Sequence, residues 1–66
     1  MTPAGEFKKW PVHDLTFAAS QLSQEYPKVA RGRVTKAVNS AAPFVPIAEG
    51  HVGLMRQARV FLREAD

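Results

Sequence analysis

The chain contains no cysteine, which excludes a disulfide framework and any thiolate-ligated zinc site, the staples that most often hold small domains together. The fold must therefore rest on packing or self-association. It also lacks a long hydrophobic run. The longest falls far short of the roughly 20 apolar residues that a bilayer span needs, and no apolar core follows a basic start as in a secretory signal. The expectation is a cytoplasmic protein of bacterial type, with no membrane contact. The four glycines, Gly5, Gly32, Gly50 and Gly53, are scattered and build no phosphate-cradling loop. Catalytic groups are equally scarce. Ser20, Ser23 and Ser40 have no histidine at a recognisable spacing, and His13 and His51 do not form the i, i+4 pair of a helical zinc site. The reading is a non-enzymatic protein with no catalytic residue, no metal site, no cofactor and no small-molecule substrate.

What remains is a chain of 66 residues, 45% hydrophobic and 23% charged. A chain this short buries only about 60% of the surface its unfolded form exposes, so one small domain is expected. Five prolines punctuate it, because each removes a backbone donor and restricts the residue before it. Residues 1–10 have no sustained period and read as an irregular leader pinned by Trp10, ahead of a single domain over residues 11–66. After Pro11, Leu15, Ala18, Ala19, Leu22 and Tyr26 recur at helical intervals. Asp14 sits where a carboxylate favours the positive end of a helix dipole, and Pro27 forces an end near Glu25 or Tyr26. A second stripe, Ala30, Val34, Ala37, Val38 and Ala41, has Arg33, Lys36 and Ser40 opposite it. That helix starts at or after Arg31 and stops at Pro43. Phe44 and Val45 read as connector residues that plug the core. A third helix starts at Pro46 or Gly50 and runs to about Glu64, its apolar face formed by Val52, Leu54, Met55, Ala58, Phe61, Leu62 and Ala65, with Val60 off that face.

No run alternates with period two for more than a few residues, so the fold class is all-α, a small three-helix bundle. Its expected core is Leu15, Ala18, Leu22, Val34, Val38, Phe44, Val52, Met55, Ala58, Phe61 and Leu62. Many of these are small, so the isolated domain is marginal by area, and homodimerisation through the third helix would help it.

The formal charge is +3, and the sequence isoelectric point is about 9.8. Its distribution is uneven. Residues 26–48 contain Lys28, Arg31, Arg33 and Lys36 and no acid, a local charge of +4, while the rest of the chain sums to −1. Arg33 and Lys36 share the polar face of the second helix, with Lys28 and Arg31 in the turn before it, where docked helices commonly meet phosphates. A second series, Arg56, Arg59 and Arg63, lies along one side of the third helix, where the dipole also favours cations. Within the first segment, Val29-Ala30-Arg31-Gly32-Arg33-Val34-Thr35-Lys36-Ala37-Val38-Asn39 resembles the turn and recognition helix of the LacI-type helix-turn-helix headpiece. Phe44 or Val45 and then Val52 resemble the positions leading into that family's third helix. The resemblance over residues 29–52 implies that Arg31, Gly32 and Lys36 face the major groove and that Thr35 is among the phosphate or base contacts. Lys28 stands where the family's turn has glycine.

The candidate nucleic-acid-binding residues are thus Lys28, Arg31, Arg33, Thr35 and Lys36. The alternative is a protein-interaction or homodimerisation module that uses an apolar patch of Trp10, Phe17, Tyr26, Val60 and Phe61.

Overall fold

The computed structural model describes residues 10–64, which form three helices and, among the described residues, no strand. Helix α1, Val12–Glu25, begins directly after Pro11, whose carbonyl accepts the Asp14 and Leu15 amides at 3.0 and 3.2 Å. Pro27 ends it. The residue before a proline is driven out of the helical region, and Tyr26 adopts φ −122°, ψ 66° while its amide still bonds Leu22. A turn follows in which the Val29 amide reaches the Tyr26 carbonyl at 3.0 Å, with Pro27 at the position whose fixed φ suits it.

Helix α2, Arg31–Ala41, starts from an extended Ala30 that has no side-chain cap. It passes into a 3-10 turn, Ala42–Phe44, and after Val45 and Pro46 a second 3-10 turn, Ile47–Glu49, leads to helix α3, Gly50–Glu64. Gly50 makes that entry with φ +71° and ψ −172°, a region essentially closed to residues with a Cβ. One turn later Gly53 is buried, and a Cβ there would stand 2.5 Å from Glu49 Cβ. The start of α3 is therefore shaped by two glycines used for different reasons.

The core lies along α2, which packs against both other helices. Ala18, Leu22, Val34, Val38, Ala41, Leu54 and Ala58 are fully enclosed, with Trp10, Ala19, Ala37, Val45 and Leu62 nearly so. Burying a leucine or valine contributes about 1.5–3 kcal/mol, and among the described residues only Leu22, Leu54, Val34 and Val38 are large and completely sealed. Leu15, Met55 and Phe61 cover the edge as half-buried residues.

Two expected core residues are on the outside. Val52 is 68% exposed and Phe44 69%. In α3 the inward line is Leu54, Ala58 and Leu62, one helical turn apart. Val52 lies about 200° around from Leu54 at 3.6 residues per turn, on the side of the exposed Arg56 and Arg63. In the connector, Val45 takes the inward position, and Phe44 is left with its ring edge-on to Phe61, centroids 6.2 Å apart. Ala30 is also exposed, serving as the N-cap of α2. Residues 1–9 of the leader and Ala65 lie outside the described residues, but Trp10, the leader's last residue, is 3% exposed and donates its indole N–H to the Val45 carbonyl at 2.9 Å.

Candidate nucleic-acid interface

Lys28, Arg31, Arg33, Thr35 and Lys36 are all exposed. Lys28 sits in the turn before α2, and the other four occupy its outer arc, because Val34, Ala37, Val38 and Ala41 take the inner one. At 100° per residue these side chains do not form a single file. Arg31 and Thr35 border the groove against α1, beside Val12, Thr16 and Ala19. Arg33 and Lys36 border the groove against α3, an open cleft of about 640 Å³ whose floor is Ala37, Phe61 and Leu62. The basic surface therefore straddles the helix, with one pair of residues on each flank.

The N-terminus of α2 adds to this charge. Its first turn has no acid and its Ala30 cap supplies no side-chain acceptor, so the positive end of the helix dipole is not screened locally. The acids that flank the segment in sequence are Glu25 and Glu49. Glu25, at the end of α1, takes a bidentate pair from Arg59 of α3, Nε to Oε1 at 2.9 Å and Nη2 to Oε2 at 2.8 Å. The Arg59 hydrogen bonds hold the Glu25 carboxyl below its usual range, and the same contact raises the already high Arg59 value. Glu49 shares a hollow with Arg56 and Phe44 on the other side of the connector.

That pairing breaks the second arginine series. Arg56 and Arg63 stay exposed while Arg59 is tied to α1, so the three do not present one cationic stripe. The expected apolar patch is also divided. Trp10 is in the core and cannot line a surface, Tyr26 packs half-buried on the core, and Val60 and Phe61 are half-buried. Phe17, 47% exposed, stacks on His51 with centroids 4.7 Å apart, whereas Phe61 meets Phe44.

One cluster is invisible in the residue order. His51 lies beside Glu49 in the chain, yet its Nε2 is 2.8 Å from Asp14 Oδ1, and His13 approaches the same oxygen at 3.7 Å. The link joins the first turn of α1 to the first turn of α3, with Trp10 behind the His51 ring at 6.5 Å. Nothing in the local spacing signals a pair 37 residues apart. Among the described residues no group of three or more His, Cys, Asp or Glu is arranged to hold a metal ion, and no helix is long and apolar enough to cross a membrane. Comparison with protein-family models, with characterised proteins and with solved structures gave no match for this chain.

Proposed function

We propose that this chain is a small, non-enzymatic, cytoplasmic binding module of bacterial type that docks α2 on the phosphate backbone of duplex nucleic acid. The observation that supports the reading is the exposure of Lys28, Arg31, Arg33, Thr35 and Lys36 on an acid-free segment, with Glu25 drawn away by Arg59. Lys28 and the first turn of α2 approach phosphates, aided by the helix dipole. Arg31 reaches towards a base edge, as the LacI-type resemblance implies, while Lys36, on the α3 flank of α2, meets phosphate. The test is anisotropy of a labelled duplex titrated at increasing salt. Neutralising about four phosphates gives a log–log slope near −3 to −4. No binding to any duplex or single strand at low salt overturns the reading.

A second reading, a protein-interaction or homodimerisation module, is favoured by the exposure of Val12, Phe17, Phe44 and Val52. Concentration-dependent self-association in sedimentation supports it, and a monomer at high concentration counts against its homodimeric form.

A further inference from the structure

The margin of the α2–α3 cleft joins two residues of the basic face to an apolar, aromatic surface that duplex docking leaves unused. Its floor is apolar, its α2 rim is cationic through Arg33 and Lys36, and Ser40 adds a hydroxyl beside them. Phe61 lines the cleft and braces Phe44 at a ring angle of 76°. Phe44 is 69% exposed, so most of its ring surface meets solvent, and beyond it Arg56 borders the next hollow together with Glu49. Cations thus stand on both sides of an aromatic pair. A proline-bounded 3-10 turn holds Phe44 there, and its backbone is anchored through the neighbouring Val45 carbonyl to Trp10.

We infer that this margin is a site for single-stranded nucleic acid, with a base stacked on Phe44 and an adjoining phosphate held by Lys36. The inference rests on the nucleic-acid reading above and adds to it a strand type and a second contact surface. Single-strand binders pair a basic groove with aromatic platforms, since every base offers a π face whatever its sequence. An acidic peptide suits the rim charge but gives no role to a solvent-facing ring held upright at the edge, and stacking does.

The experiment compares a labelled oligothymidylate of about 12 nucleotides, within the span such surfaces cover, with a labelled duplex at equal salt. The proteins are wild type, Phe44→Ala, Phe44→Tyr and Lys36→Gln. Phe44→Ala is expected to weaken single-strand binding about 5- to 100-fold while leaving duplex binding within about twofold, the ring lying off the duplex-facing arc of α2. Phe44→Tyr restores the single-strand affinity, and Lys36→Gln weakens both. Duplex binding by wild type with no single-strand binding, or single-strand binding that Phe44→Ala leaves unchanged, overturns this inference and spares the duplex reading. Failure to bind either strand form overturns both. Binding of polyglutamate that Phe44→Ala abolishes, with no oligothymidylate binding, reassigns the surface to an acidic protein partner and overturns the inference. Far-ultraviolet circular dichroism confirms that each variant is folded, as expected for substitutions at exposed positions.

Discussion

The Trp10 indole N–H and the Val45 carbonyl, 2.9 Å apart, tie the residue ahead of α1 to the connector ahead of α3. Both residues are buried, so the contact closes the end of the bundle where neither helix packing nor a disulfide does so. Trp10→Phe keeps most of the ring volume but leaves the carbonyl without its donor, which costs about 1–3 kcal/mol. Trp10→Ala removes the packing too and costs about 3–5 kcal/mol, a large share of the stability of any small domain. Urea denaturation followed by circular dichroism should rank wild type above Trp10→Phe and Trp10→Ala lowest.

The Glu25–Arg59 pair makes stability depend on acidity. Because the Arg59 hydrogen bonds hold the native Glu25 carboxyl below the ordinary carboxylate range, the unfolded chain binds this proton more readily. The contribution is therefore fully present above the unfolded carboxylate range and is lost as pH falls through the lowered native value. Glu25→Gln should be slightly less stable than wild type at pH 7, and the difference should close on acidification. Added salt should shrink it as well, since both partners are accessible to solvent. Thermal melts of the two proteins from pH 7 down to pH 3 check both trends.

The glycines of α2 and α3 respond oppositely to alanine. At Gly50 the backbone has φ +71°, so Gly50→Ala imposes strain of about 1–3 kcal/mol and loosens the entry to α3. At Gly32 the added methyl meets nothing within 4 Å, and the residue lies inside α2, so Gly32→Ala is stabilising by up to about 1 kcal/mol. Denaturation midpoints that move in opposite directions are the expected result.

These contrasts also mark what was legible in the chain. Pro11 and Pro27 act through local backbone sterics, and α1 begins and ends where those constraints place it, whereas before Pro43 Ala42 keeps helical angles and α2 runs on into a 3-10 turn. The stripes of Leu15 to Leu22 and of Val34 to Ala41 were readable because one apolar face dominates each helix. In α3 apolar residues occur on several sides, and the inward side depends on which leucine meets α2, which is tertiary information. That is why Val52 was placed inside and is found outside. Phe44 and Val45 posed the same problem in two adjacent residues, only one of which fits the slot. The basic segment was readable as a count of charges, but its spread over both flanks of α2 was not. The pairings of Glu25 with Arg59 and of Asp14 with His51 join residues 34 and 37 positions apart, and no local pattern encodes them.

The register of α3 is open to direct test. Val52→Lys places a charge on a surface already bearing Arg56 and Arg63, and should change stability by no more than about 0.5 kcal/mol. Leu54→Ala, two residues along and fully buried, should cost about 2–5 kcal/mol. Had Val52 been a core residue, the lysine would be the more damaging of the two.

The phosphate-docking reading predicts how binding should depend on each cation, which a merely solvated basic face would not reproduce. Lys28 lies in the turn and Lys36 on the α3 flank of α2, so they meet phosphates independently if the helix lies along a duplex. Lys28→Gln and Lys36→Gln should each weaken binding across all sequences and reduce the salt slope by about one, and the double variant by about two. Arg31→Gln should behave differently. If Arg31 reads a base edge as the headpiece resemblance implies, its loss costs about 1–3 kcal/mol and relaxes preference at one base pair. Anisotropy titrations at several salt concentrations separate the two behaviours, and slopes that stay unchanged in both lysine variants would remove the basic face of α2 from the duplex contact.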